Sequence, residues 1–307
     1  MNRPASGAWK NEAALFFTVL VWGLNFPILK GALAAMHPHV INGFRFLISA
    51  LVLGSLYVIK GQNAEHGFRR SFREHGKSIV LLSLTGYLFY QLFFILGIAR
   101  TSAGNAALIM AGSPLWTAVA GRVFGLETLS RRSWLGLLIL LTGTVVVVVG
   151  GANGSTSGQN SLLGNALMLG ASVLWGGYTA FSRPVLRHLP ATTLIFYAVL
   201  IALPALLVIA GLHLDEVDWS VVDAGVWGAI VFSGGLSTGI VFVFWSTGIR
   251  KVGASQTAAF GNLVPLVALG ASFLLLGETI RWVQVLGGGL IIGGLVMMRR
   301  GRSLPPE

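Results

Sequence analysis

Residues 13–36 read AALFFTVLVWGLNFPILKGALAAM, and Lys30 is the single charged side chain among them. As an α-helix this stretch is long enough to cross the roughly 30 Å of hydrocarbon in a bilayer. It extends well past the short apolar core of a cleaved secretory signal and shows no small-residue cleavage pattern. We therefore expect it to stay in the mature protein as a membrane span.

Similar apolar stretches recur along the chain, and Arg45 is the only other charged side chain inside them. Of the 307 residues, 54% are hydrophobic and 10% are charged, whereas a soluble domain carries about 25% charged residues. This composition excludes a soluble globular protein and a disordered chain. It predicts an all-α membrane protein of ten transmembrane helices, whose windows are 13–36, 39–59, 78–98, 103–121, 133–150, 161–182, 191–212, 224–245, 253–276 and 282–298.

The basic side chains predict the orientation in the membrane. If both termini are cytoplasmic, the outer connections hold only Arg100 and Arg281, and every other Lys or Arg outside the windows faces the inside. The positive-inside rule then predicts a multi-pass membrane protein with both termini in the cytoplasm. We interpret the net charge of +11 as a topology signal that also attracts anionic lipids, and expect no nucleic-acid partner.

The chain matches itself in two halves. The pair Trp22-Gly23 recurs as Trp175-Gly176, and further pairs recur at a constant offset. These are Gly97-Ile98, Pro114-Leu115 and Glu127-Thr128, which return as Gly248-Ile249, Pro265-Leu266 and Glu278-Thr279. Co-aligned Pro, Glu-Thr and Trp-Gly pairs indicate a duplication rather than shared apolar composition.

Each half holds five windows, so the second half must enter the membrane from the opposite side. We therefore predict two inverted five-helix repeats. The predicted organisation is a first repeat at 1–150, an outer linker at 151–160, a second repeat at 161–300 and a cytoplasmic tail at 301–307. Inverted repeats are a recurring design of secondary transporters, in which a shared midplane site opens to one side and then to the other.

The motifs of both halves resemble the drug/metabolite transporter superfamily, in particular its ten-helix EamA-type members. The resemblance covers about residues 12–300 and is carried by the segments 22–27, 103–107 with Pro114, 125–128 and 276–279. Within that family the chain is similar to bacterial amino-acid exporters of the YddG type, which implies export of neutral or aromatic amino acids across a bacterial inner membrane. Ala180 stands where the first half has Pro27, so we do not expect the halves to be exactly symmetric.

Lys30 and Arg45 are the first candidates for substrate binding, because a charged side chain within a span is costly and usually functional. No window contains Asp or Glu that could neutralise them. They could draw a carboxylate or a phosphate toward an outward-facing vestibule, or they could reach lipid headgroups and backbone carbonyls.

Aromatic side chains deep in the windows are the next candidates, either as cavity walls or as ordinary packing. The amides Asn25, Asn42, Gln91, Asn105, Gln256 and Asn262 could bind an amino group or a carboxylate, or could join helices by hydrogen bonds. The predicted substrate-binding set is Trp22, Asn25, Lys30, Arg45, Tyr87, Tyr90, Trp116, Trp175 and Tyr178. The predicted gating set is Pro27, Pro114 and Pro265, because proline weakens a helix locally.

The apolar windows hold no Asp, Glu or His deep enough to carry protons. We therefore predict facilitated diffusion, with proton antiport as the alternative, and no enzyme activity, cofactor or metal. Other substrate classes remain open: purines, drug-like cations and organic phosphates. A channel is disfavoured because the sequence shows no charged ring or filter run. The oligomeric state also stays open.

Overall fold

The computed structural model describes residues 8–62, 67–124, 130–150, 158–251, 260–261 and 263–300. These ranges are helical and contain no β-strand. Seven of their helices are long and apolar enough to cross a membrane. Two further apolar helices, Val264–Leu276 and Trp282–Met298, are shorter. The expectation of an all-α, multi-pass membrane protein is confirmed.

The helices of the first half begin at capping residues that the sequence supplies. Pro38 stands in the first turn of its helix, where the missing N–H costs nothing. The Ser102 side chain accepts a hydrogen bond from the Asn105 backbone N–H. The helices are α1 (Ala8–Ala32), α2 (Pro38–Ile59), α3 (Phe68–Ser83, a π-helical turn Leu84–Phe89, then Tyr90–Arg100), α4 (Ala103–Ala111 and Ser113–Val123) and α5 (Arg131–Gly150).

In the second half, the Asp223 carboxylate caps a helix by accepting from the Val226 backbone N–H at 2.9 Å. Gly277, with φ 64°, ends another in the left-handed conformation that glycine adopts readily. The helices are α6 (Gly158–Leu186), α7 (Ala191–Gly211), α8 (Ala224–Val231, a π-helical turn Phe232–Ile240, then Val241–Lys251), α9 (Val264–Leu276) and α10 (Trp282–Arg300).

Several boundaries differ from the sequence windows. Helix α3 begins at Phe68 rather than at 78, because a basic amphipathic segment extends the helix ahead of its apolar part. Helix α6 begins at Gly158, inside the linker predicted at 151–160. The rest of that linker, Glu127 and the 301–307 tail lie outside the described residues, as does most of the 253–276 window before Val264.

Helices α5 and α10 pack backbone against backbone through glycine. A Cβ atom on Gly294 would lie 2.5 Å from the Leu140 backbone nitrogen, so a larger residue cannot fit there without moving the helix. At one end Ser133 Oγ donates to the Met298 carbonyl at 3.1 Å, and at the other end Gly150 faces Val283. The two helices therefore run antiparallel.

Helices α2 and α7 also pair in opposite directions. The start of α2 meets the end of α7, where Gly43 faces Ala210. The end of α2 meets the start of α7, where Lys60 Nζ donates to Thr192 Oγ1 at 3.2 Å. Helices in corresponding positions of the two halves thus run antiparallel in both pairs.

The two halves also interlock through their first helices. Helix α1 packs against α8 and α9, and α6 packs against α3 and α4. In the first contact Gly23 approaches Val267 and the carbonyl of Val264; in the second, Gly176 approaches Trp116 and the carbonyl of Ser113. Glycine follows tryptophan in both motifs because the facing helix leaves no room for a side chain. The site described next lies at this interface.

Candidate functional site

A cavity of about 130 Å³ lies between the two halves of the chain. Its walls come from α1, α2, α3 and α4 of the first half, and from α6, α8 and α9 of the second. The structure brings together, as lining residues, part of the set predicted from sequence: Trp22, Asn25, Arg45, Tyr90, Pro114, Trp175 and Pro265.

Arg45 supplies a buried positive charge to this cavity. Only 1% of the residue is exposed. Its Nη1 donates to Asn42 Oδ1 at 3.3 Å and its Nη2 donates to Thr238 Oγ1 at 3.3 Å, while Nε has no hydrogen-bond partner among the described residues. Neither partner is charged, so the guanidinium retains both its charge and part of its hydrogen-bonding capacity for a bound anion.

Two amide oxygens complement this cation. Asn25 Oδ1 and Gln91 Oε1 are buried, line the same cavity and have no hydrogen-bond donor in the described part of the chain. Buried polar atoms of native proteins are nearly always paired, so these two oxygens are free to accept from water or from a bound ligand. An oxygen acceptor suits an ammonium or amino group.

Four aromatic rings form an apolar part of the cavity wall. Trp22 lies 6.4 Å from Trp175 and 4.9 Å from Trp245, measured between ring centroids. Phe242 contacts both Trp22 and Trp175, at 5.5 and 5.2 Å. These rings form a wall against which a flat or apolar group can pack.

The π-helical turn of α8 positions both the cation and one of the rings. Thr238, which accepts from Arg45, itself donates to the Ser233 carbonyl at 3.0 Å, across the wide π turn. Trp22 Nε1 donates to the Ser237 carbonyl of the same turn at 3.3 Å. Such turns are frequent at functional sites because they re-aim side chains and release backbone carbonyls.

Lys30 lies at the turn between α3 and α4 rather than in the cavity wall. Its Nζ donates to the carbonyls of Ile98 and Ala99, at 3.0 and 2.9 Å, and so neutralises the C-terminal end of α3. Glu278 accepts from the backbone N–H groups of Ala103 and Gly104, at 2.9 and 3.2 Å, at the start of α4. Lys30 and Glu278 together hold the α3–α4 turn, and Lys30 does not line the cavity.

The remaining predicted residues do not line the cavity. Tyr87 and Tyr178 are buried and their hydroxyls lie 3.3 Å apart, with Tyr178 stacked on Trp175. Trp116 packs at the α4–α6 crossing against Gly176. Pro27 lies within α1 but is not a lining residue. The roles assigned to these four residues stay predictions. Gln256 and Asn262 lie outside the described residues.

Sequence reasoning did not single out Trp245, although it contacts Trp22 at the wall. The signal was present: Trp245 stands at the repeat position of Phe94, which also lines the cavity. Applying the repeat offset to every deep aromatic residue would have found it.

The cavity therefore offers one unneutralised cation, two unpaired amide oxygens and an aromatic wall. The described residues that line it include no Asp, Glu or His. This arrangement can bind a small molecule that carries an anionic group, a hydrogen-bond donor and an apolar body.

Comparison with known proteins agrees with this architecture. The profile of the EamA-like transporter family matches residues 10–149 and again residues 162–300. The uncharacterized transporter YyaM of Bacillus subtilis is 27% identical over 89% of this chain and 88% of its own length. The probable amino-acid metabolite efflux pump of Salmonella typhimurium is 26% identical over 93% of both chains.

A probable terminal-alkyne amino-acid exporter of Streptantibioticus cattleyicolor is 25% identical over 94% of this chain and 92% of its own. A solved crystal structure shares the fold with a TM-score of 0.66 at 19% identity, covering 94% of this chain and 97% of the other. Because the family profile spans nearly the whole sequence, the chain belongs to the EamA-like transporter family.

Proposed function

We propose that this protein is a secondary carrier of a bacterial inner membrane that exports neutral or aromatic amino acids by alternating access. In this proposal the chain has ten spans, arranged as two inverted five-helix repeats with both termini in the cytoplasm. The observation that carries the substrate proposal is the grouping of the Arg45 guanidinium with the unpaired oxygens of Asn25 and Gln91 beside an aromatic wall.

The inverted arrangement is supported by the directions of the helices. α5 and α10 occupy corresponding positions in the two halves and run antiparallel, as do α2 and α7. The two Trp-Gly motifs make matching contacts, Gly23 with α9 and Gly176 with α4. The family profile also matches each half separately.

The chemistry of the cavity fits a zwitterion better than the other substrate classes. A carboxylate can accept from Arg45, and an α-ammonium group can donate to Asn25 and Gln91. A drug-like cation would meet an uncompensated positive charge, and a purine would leave that charge unpaired. An organic phosphate satisfies Arg45 and is the second candidate, but it leaves the two amide oxygens without a charged donor. Two relatives are named for amino-acid metabolite efflux and for amino-acid export.

Transport without proton coupling is supported by the composition of the cavity. The described lining residues include no acid or histidine, the side chains that most often carry protons in coupled transporters. We propose facilitated diffusion driven by the outward substrate gradient.

Counterflow in proteoliposomes tests the proposal. For each compound of the panel, vesicles are preloaded with the unlabelled compound and diluted into the same compound in labelled form; the panel holds neutral and aromatic amino acids, purines, phosphate esters and organic cations. We expect transient accumulation with neutral and aromatic amino acids only. A channel would give no counterflow, and counterflow restricted to phosphate esters or purines would refute the substrate class.

The ends of the zwitterion can be separated with analogues. Phenylalaninamide lacks the carboxylate, and 3-phenylpropionate lacks the ammonium group. Both are expected to compete more weakly than phenylalanine, because each leaves one side of the site unpaired. Equal competition by all three would contradict the proposed binding mode.

A further inference from the structure

Three of the six histidines meet at one end of the helical bundle, away from the cavity. His37 lies in the link between α1 and α2, and His39 lies in the first turn of α2. His213 belongs to the link between α7 and α8, and Glu216 follows it on the same link. The cluster thus joins a segment of the first half to a segment of the second.

The side chains of His37, His213 and Glu216 are close enough to share a ligand, and the His39 ring stacks on that of His213. The ring centroids of His37 and His213 are 4.2 Å apart, and those of His39 and His213 are 5.1 Å apart. Glu216 approaches His213 Nδ1 at 2.6 Å with one carboxylate oxygen and His37 Nε2 at 3.6 Å with the other.

One donor atom from each of His37, His213 and Glu216 lies within 4.8 Å of the other two. Donors bound to one Zn²⁺ ion stand about 2.0–2.2 Å from the metal, so small side-chain rotations would bring all three into coordination. A fourth donor is at hand, because His39 Nδ1 is buried and has no hydrogen-bond partner in the described part of the chain.

We propose that His37, His213 and Glu216, with His39 as the fourth ligand, form a binding site for one divalent transition-metal ion, for which Zn²⁺ is the probe. Imidazole and carboxylate together suit zinc and nickel, whereas Mg²⁺ and Ca²⁺ prefer oxygen ligands alone. Metal binding itself does not depend on the transport proposal. Only the position of the site, on the outer face, rests on the topology proposed above.

The chain offers a matched control. His75 and His188 stack at 5.5 Å, but no acidic side chain joins them in a ligand group among the described residues. The double variant His75→Ala with His188→Ala removes two imidazole groups and leaves the proposed ligands in place.

The test is calorimetric titration of ZnCl₂ into the full-length protein, purified without a histidine tag. We expect one saturable site per chain, binding weakened at least tenfold in Glu216→Gln and in His213→Asn, and unchanged binding in the His75/His188 double variant. Since the chain has no cysteine, X-ray absorption of the zinc complex should show nitrogen and oxygen ligands only.

Glu216→Gln keeps the test decisive even if the His213 variant does not fold, because the Glu216 side chain is 52% exposed and contributes little to packing. Absence of saturable binding to the wild type would overturn the proposal. Equal affinity in Glu216→Gln and wild type, or an equal loss in the His75/His188 control, would also overturn it. Counterflow measured on the same variants reports on the transport proposal separately.

Discussion

Replacing Arg45 by methionine removes the buried cation while keeping a side chain of similar length. The guanidinium is bound only to the neutral side chains of Asn42 and Thr238, and its Nε is unpaired among the described residues. An unpaired buried charge is costly. We therefore expect the unliganded Arg45→Met protein to have a melting temperature equal to or above that of the wild type.

Substrate affinity should change in the opposite direction. A hydrogen bond to a charged group in a buried site contributes about 1.5–3 kcal/mol. Its loss should raise the half-saturation concentration in counterflow by roughly 10- to 150-fold. The loss should be specific to the carboxylate. In Arg45→Met, phenylalanine and phenylalaninamide should compete equally, whereas the wild type should distinguish them by about that factor.

Lys30 provides the control, because it is the other charged residue within the predicted windows and its ammonium group is already bound to two carbonyls. Lys30→Met should lower the melting temperature and leave the half-saturation concentration nearly unchanged. The assignment would be refuted if Arg45→Met lowered the melting temperature and left affinity intact, which is the behaviour of a purely structural cation. It would also fail if the two variants behaved alike.

Trp245→Ala should weaken binding of phenylalanine by about 0.5–1.5 kcal/mol, roughly two- to twelvefold, with little effect on alanine, in the same counterflow assay. Gly294→Ala should destabilise the protein by about 1–3 kcal/mol, because its Cβ would meet the backbone of α5; Gly289→Ala, which meets open space, should leave the thermal unfolding curve unchanged. Pro114→Ala and Pro265→Ala should slow transport without changing equilibrium binding of substrate, and unaltered rates would count against a gating role. Uptake by proteoliposomes should proceed without an imposed pH gradient, and a strict requirement for one would refute facilitated diffusion.

Much of the fold was predictable because lipid imposes simple rules on a chain. Long apolar windows with only Lys30 and Arg45 inside them favour helices, since a continuous apolar stretch satisfies all of its own backbone hydrogen bonds in lipid as an α-helix. The repeated Trp22-Gly23 and Trp175-Gly176 pairs also had a direct structural meaning, because each glycine lies at a close helix crossing. The π-helical turns in α3 and α8 were not predicted, because no local pattern distinguishes them from ordinary helix.

The site was predictable only in part. Arg45 and Lys30 look alike in sequence, each the lone cation of an apolar window, and their different surroundings arise from tertiary contacts: Arg45 faces the π turn of α8, and Lys30 faces the end of α3. Tyr87 and Tyr178 have the depth expected of lining residues but pack one layer behind Trp175. Depth can be estimated from position within a window, whereas the direction of a side chain depends on packing.

Cysteine accessibility provides the most direct test of the proposal that the two repeats lie in the membrane in opposite orientations. The chain has no native cysteine, so Arg131→Cys and Trp282→Cys can each be introduced alone, at the first residues of the corresponding helices α5 and α10. With a membrane-impermeant maleimide on intact cells, we expect labelling at position 282 and none at position 131 until the membrane is opened. Labelling of both positions from the same side would contradict the account.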